Sequence, residues 1–254
     1  MAKSPTMDEY VEFVYIDDIP AFADIKTSIK VLEKGVYRTE SGKVQQFSAE
    51  EMKPASLSFK IACKDPYWTK ISRIKAKWYI KFVLNGGNPV TGVPNKNWRG
   101  IRPVHCREAV ALFLNIGYMC TLENFQKRIS TFQGVLLDNN KNAVDTSKII
   151  SRLENLSGFD IGLVYAGNGV AGLGGGRTWG VYQKSFLYHY ENSGGCCTTI
   201  FHELGHCLGY SHNSTMTYGQ WASGCADVFY KNNINDFPVN SHTILKSRSN
   251  PNIY

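Results

Sequence analysis

One stretch of this 254-residue chain carries the residues best suited to chemistry: His202-Glu203-Leu204-Gly205-His206-Cys207-Leu208-Gly209-Tyr210-Ser211-His212. On a helix, residues four apart project from one face, so His202 and His206 can ligate a single metal ion. Glu203 stands beside the first ligand and can reach a water on that ion. Gly209 lets the chain leave the helix sharply, which brings His212 round as a third ligand. Three imidazoles plus water make an open tetrahedral site, the arrangement of catalytic rather than structural zinc. The bland alternative is three ordinary histidines on an ordinary helix. Chance opposes it: half of the six histidines fall in this motif, and a coincidence at all its fixed positions is expected on the order of once in 10⁵ such chains.

HELGHCLGYSH fits the extended pattern H-E-x-x-H-x-x-G-x-x-H, and on that pattern the chain resembles the metzincin zinc metallopeptidases. In that clan a Met-turn beneath the metal follows the third histidine, and Ser214-Thr215-Met216-Thr217-Tyr218 fits it. The resemblance makes Met216 the apolar floor under the imidazoles; taken alone, a methionine there is core filler. Tyr218 stands two residues after Met216, as does a tyrosine in the astacin-like and serralysin-like groups. The resemblance implies that it either ligates zinc or steadies the transition-state oxyanion; otherwise it is an ordinary buried tyrosine. Asn213 departs from the residues that follow the third histidine in the well-known groups, which leaves the subfamily and its substrate preference unassigned. The resemblance spans residues 70–254 and is specific at 202–218.

Other elements must hold this stretch in place. Ile74, Ala76, Trp78, Ile80, Phe82 and Leu84 alternate with Arg73, Lys75, Lys77, Tyr79 and Lys81, predicting a strand over 72–84 with one buried face. Arg107–Tyr118 fits a helix or a buried strand equally. Leu122–Phe132 and Thr146–Leu156 read as helices, capped by Thr121 and by Asp145 or Thr146. Ile161–Tyr165 reads as a short buried strand, followed by a glycine-rich stretch to Gly180 and a second strand over Val181–Tyr190. Gly194-Gly195 precede a helix from about Cys197 to Leu208, with Gly209 as its C′ residue. A last helix over Gln220–Tyr230 carries Trp221, Cys225, Val228 and Phe229 on one face.

Composition sets limits. Hydrophobic residues make up 43% and charged residues 19%, which excludes disorder as a description of the whole chain. The longest apolar run, Ala109–Leu114, is far below the roughly 18 residues of a membrane span. A net charge of +7 is weak support for nucleic-acid binding, and no motif for it is present. The basic face Arg73/Lys75/Lys77/Lys81 reads as a solvated surface. The opening MAKSPTMDEYVEF lacks a leader's apolar core. Seven cysteines form an odd set without a CxxC pair, so at least one is unpaired within the chain. Cys207 or its neighbours 196 and 197 can be imagined bridging to Cys225; spacing alone does not decide it. Cys63 lacks the surroundings of an inhibitory pro-segment cysteine.

Gly167–Gly172 matches G-x-G-x-x-G, but Gly174-Gly175-Gly176 follow where a phosphate-binding helix would have to open. Gly169, Val170, Ala171 and Gly172 suit an edge strand that a peptide backbone approaches, with a solvated loop as the alternative. His189 and His242 lack partners nearby in sequence, as does the pair His105-Cys106.

The fold expected is therefore α+β. An N-terminal extension over 1–68 precedes a metzincin-like catalytic domain over 69–254, its upper part ending at Gly209 and its lower part running over 210–254. By the resemblance it holds a twisted mixed sheet with an antiparallel edge strand. The expected activity is that of an endopeptidase with one Zn²⁺ ion held by His202, His206 and His212, with Glu203 as general base and a polypeptide substrate. No nucleic-acid partner and no membrane span are expected, and the resemblance places the protein outside the cytoplasm. A zinc-binding interaction module without hydrolysis is the second reading; Glu203 counts against it, since such a module needs no base beside its first ligand.

Overall fold

The structure, a computed structural model, describes residues 1–14, 34–48, 50–60, 62, 66–84, 86–88, 91, 93, 96–165, 167, 169–189 and 196–240. Cys63, Gly194-Gly195 and His242 lie outside the described residues. The chain forms two compact units, Met1–Asp65 and Pro66–Tyr254.

The first unit is built on two antiparallel ladders. Strand β1 (Ala2–Lys3) pairs with β4 (Ser58–Phe59), and β2 (Lys34–Arg38) pairs with β3 (Val44–Ser48). Met7, Val11 and Met52 form its small buried centre, with Phe13, Tyr37, Phe47 and Leu57 packed around them.

The second unit is a mixed α+β fold. After α1 (Pro66–Ile71) come β5 (Tyr79–Phe82), β6 (Trp98–Arg99), α2 (Pro103–Cys120), α3 (Glu123–Ser130), α4 (Ile149–Glu154), β7 (Gly158–Val164), β8 (Gly172–Gly175), β9 (Thr178–Tyr182), α5 (Gln183–Leu187), α6 (Cys196–Cys207), a π-helical turn (Gln220–Ala226) and α7 (Asp227–Asn233). The sheet order is β5-β7-β9-β8, with β6 also on β7. Strands β5, β7 and β9 are parallel; β8 runs antiparallel along β9 and forms an edge. Every residue of β7 is buried, as expected for a strand covered on both faces.

Helix α2 resolves the ambiguity over 107–118: it is one helix of 18 residues, too long for a strand. Pro103 opens it with its φ already set, and the Arg102 N–H donates to His105 Nδ1 at 3.1 Å. Its Phe113 stacks on Phe159 of β7 with centroids 4.3 Å apart, and Trp179 of β9 meets it edge-on at 5.0 Å. Such aromatic contacts add about 0.5–1.5 kcal/mol each beyond area burial.

A buried polar chain crosses the same core. Asn115 Nδ2 donates to Tyr230 Oη at 2.9 Å and to the Val239 carbonyl at 2.7 Å. With that oxygen accepting, the Tyr230 hydroxyl donates to His189 Nδ1 at 2.9 Å, which leaves the His189 Nε2 proton facing Glu108 at 3.6 Å. His189 is thus a structural residue that pins the segment after α5 to α2 and α7.

Several expected elements differ. The strand over 72–84 is confined to Tyr79–Phe82. Ile74 and Trp78 pack against the core without a ladder, and Trp78 Nε1 donates to the Leu153 carbonyl at 2.9 Å. The strand expected over 181–190 begins at Thr178 and ends at Tyr182, where its partner β7 runs out at Val164; α5 follows and buries Phe186. Thr121 closes α2 rather than capping α3, while the Asp145 side chain accepts the Ser147 N–H at the start of the 146–156 segment. The last helix starts as the π-helical turn and becomes regular at Asp227. Cys106, Cys120, Cys207 and Cys225 are free thiols, so neither Cys197 nor Cys207 bridges to Cys225. Among the described residues, no helix is long and apolar enough to cross a membrane.

Candidate metal centre

Helix α6 forms because Cys197, Ile200, Phe201, Leu204, Cys207 and Leu208 recur at helical spacing and are all buried. They seat the helix against β8, β9 and the π-helical turn. His202 and His206 project from a partly open face. Gly209 ends the run with φ +89°, a left-handed conformation that costs a glycine little. Arg152 of α4 donates to the Leu208 carbonyl and to Tyr210 Oη, placing a cation at the negative end of the helix dipole.

The three histidines converge. One nitrogen from each of His202, His206 and His212 lies within 4.8 Å of the others. His202 Nδ1 donates to the Thr217 carbonyl at 2.5 Å, and His206 Nδ1 donates to the Tyr210 carbonyl at 2.7 Å. A carbonyl only accepts, so both rings carry their proton on Nδ1 and turn an Nε2 lone pair inward. Those two Nε2 atoms are 3.1 Å apart. Burial, and then the charge of the neighbouring histidines, holds both rings below the ordinary imidazole range despite the opposing carbonyl contacts, which keeps them neutral. Two neutral nitrogens with converging lone pairs repel unless a cation lies between them. At metal–nitrogen distances of about 2.0–2.1 Å, a tetrahedral ion needs ligand nitrogens about 3.3–3.4 Å apart. The donor set fits such an ion.

Glu203 is 3% exposed. Its Oε1 lies 3.8 Å from His202 Nε2. Burial pushes its carboxyl up to about 8; a cation held by the imidazoles pulls it back toward the charged form. Edge strand β8 lies directly over this side chain. A Cβ at Gly172 would sit 2.3 Å from Glu203 Oε1, and one at Gly174 would sit 2.6 Å from the Glu203 carbonyl oxygen. At 174 glycine lets the strand approach the helix backbone this closely, and at 172 it leaves room for the carboxylate.

Met216 is fully buried, and its carbonyl passes so near Gly205 that a Cβ there would lie 2.7 Å away. The turn that follows delivers Tyr218, whose ring lies 4.7 Å from that of His202 and 4.9 Å from that of His212. Tyr218 is 56% exposed, so it faces the open side of the triad rather than the core. Of the glycine-rich segment, Gly172 lies in β8, whereas Gly169, Val170 and Ala171 form the turn before it, with φ +75° at Gly169. The G-x-G-x-x-G match therefore runs into a strand, not a helix.

The groups that surround the three histidines leave no mark in the sequence. The Thr217 and Tyr210 carbonyls carry no side-chain signature. Asn139 and Lys141 also act here, on the loop that bears His212. Their turn-rich surroundings, Asp138-Asn139-Asn140-Lys141-Asn142, mark a reversal but not what it touches. The chain matches no protein-family model, no curated protein and no solved structure.

Proposed function

We propose that this protein is a zinc-dependent endopeptidase, with His202, His206 and His212 holding one zinc ion. The observation that carries the reading is the pair of Nε2 lone pairs turned toward each other at 3.1 Å, with a third imidazole and a buried carboxylate beside them. Bound there, zinc supplies a Lewis acid that acidifies water and polarises a carbonyl. Glu203 takes the proton of the attacking water and delivers it to the leaving amine. Its buried seat under β8 holds the carboxylate in one place. The Tyr218 hydroxyl donates to the oxygen that gains charge in the transition state. The open side of β8 offers main-chain groups to an extended peptide, with Gly172 and Gly174 free of side chains. An extended chain laid along an edge strand can be cut in its interior, which favours an endopeptidase.

The test is casein cleavage by the purified protein with zinc present, then with a chelator, then with zinc restored. The reading expects activity, loss and recovery. Zinc binding without any cleavage would favour the interaction module instead. Peptide products sequenced from their N-termini then define the preference.

A further inference from the structure

His212 differs from its two companions. His202 and His206 ride on a rigid helix, and a carbonyl holds the outer nitrogen of each. His212 sits in the loop after Gly209, is exposed, and among the described residues no protein group hydrogen-bonds its ring. Something else must fix it, because a ligand on a loose loop adds little to metal affinity.

A second reversal in the chain supplies that support. Residues 135–143 fold back on themselves, with Leu137 bridged to Ala143 and the Asp138 carboxylate accepting the Asn140 and Asn142 N–H groups at 2.8 and 2.9 Å. From its tip, Asn139 reaches the histidine loop with both ends of its amide. Its Nδ2 donates to the Gly209 carbonyl at 3.0 Å, and its Oδ1 accepts the Ser211 N–H at 2.7 Å. One side chain thus ties together both ends of the bend that turns the chain from α6 toward His212. Lys141 donates its ammonium to the Asn213 carbonyl, just past the ligand. Lys141 holds φ +66°, the one left-handed non-glycine residue among those described. Such a conformation persists where surrounding contacts over-determine it. Nearer the base, the Leu137 N–H donates to Thr215 Oγ1 at 2.7 Å, and Ser214 Oγ and the Thr215 N–H donate to the Leu137 carbonyl at 2.6 and 3.1 Å. The loop is gripped before, just after and beyond His212.

We infer that the 135–143 reversal is a clamp for the third metal ligand, with Asn139 as its principal positioning residue and Lys141 as its second. The inference rests on the metal site proposed above but not on peptidase activity. Asn139 touches no metal and no reacting atom; it acts through His212. Groups that orient a ligand commonly govern affinity by about 10–100-fold.

The test measures zinc dissociation constants by competition with a chromophoric chelator, with peptidase activity left out. Asn139→Ala is expected to weaken zinc binding about 10–100-fold, and Lys141→Ala, at an exposed contact, by several-fold. Metal-free melting temperatures control for folding; if Asn139→Ala melts out, the exposed Lys141→Ala decides alone. The decisive arm repeats Asn139→Ala in a His212→Ala background. A clamp that works through His212 has nothing left to hold there, so the added loss should fall below about twofold. Equal loss in both backgrounds would overturn the inference, as would parental affinity in both single variants. A parent that binds zinc but cleaves nothing would sink the peptidase reading and leave the clamp standing.

Discussion

Gly172→Ala separates position from presence at Glu203. Neither Gly172 nor Gly174 has a left-handed φ, so alanine suits both backbones, and the outcome depends on space. A methyl group at 172 would lie 2.3, 2.6 and 2.7 Å from Oε1, Cδ and Cγ of Glu203, against 3.4 Å for ordinary contact. The obstacle is the end of a side chain, so the carboxylate yields by about 1 Å while the strand stays. Displacing a reacting group by about 1 Å costs about 10²-fold in rate. We therefore expect kcat to fall about 10²-fold while KM and zinc content hold. Melting temperature should change little, since alanine at an allowed φ also trims unfolded-state entropy by about 0.4–1 kcal/mol. Gly174→Ala makes the contrast. Its Cβ would meet the Glu203 carbonyl oxygen at 2.6 Å and Cα at 3.1 Å, so strand and helix must part, at a cost of about 1–3 kcal/mol. Peptide turnover and thermal melts on both variants provide the comparison. Parental kcat in Gly172→Ala would refute the reasoning, as would a stability loss there equal to that of Gly174→Ala.

Replacing His202, His206 or His212 by Ala should each reduce bound zinc well below one per chain, and full occupancy in all three would end the assignment. Tyr218→Phe keeps the ring and removes the donor: kcat should drop about 10- to 10³-fold with KM and zinc little changed, whereas a merely structural tyrosine would lower the melting temperature and spare kcat. In the metal-free protein, burial raises the Glu203 carboxyl from 4.5 to about 8, so over that window the unfolded state releases a proton that the folded state retains. Stability relative to Glu203→Gln should then decline as pH rises from about 4.5 to 8, by at most about 5 kcal/mol. Parallel stability–pH curves for the two proteins would show that Glu203 is not held as described.

The candidate metal-binding triad was legible because the chemistry it would serve fixes both residue type and spacing. The buried face of α6 was legible for a similar reason: Ile200, Phe201, Leu204 and Leu208 repeat at the helical period. Periodicity misled where it reported a face without a ladder. Ile74 and Trp78 alternate with charged residues, yet they lie against the core beside α2, and strand pairing begins only at Tyr79. The end of β9 was set by the length of β7, a partner distant in sequence, so the local sequence from Val181 to Tyr190 could not reveal it. Gly172 could be read as part of an edge strand or of a solvated loop, but that its missing side chain makes room for Glu203 depends on a residue about thirty positions further along. Asn139 was hidden for the same reason: its function depends on a loop seventy residues away, and nothing local encodes that contact.

The most direct test of the central claim is the rate of casein hydrolysis by zinc-loaded parent and zinc-loaded Glu203→Ala, measured side by side with zinc content determined on both. Removal of a general base commonly costs about 10² to 10⁴ in rate. The account predicts equal zinc in the two proteins, steady cleavage by the parent, and a rate at least about 10²-fold lower in the variant. Equal rates, or no cleavage by a parent carrying its full zinc, would contradict it.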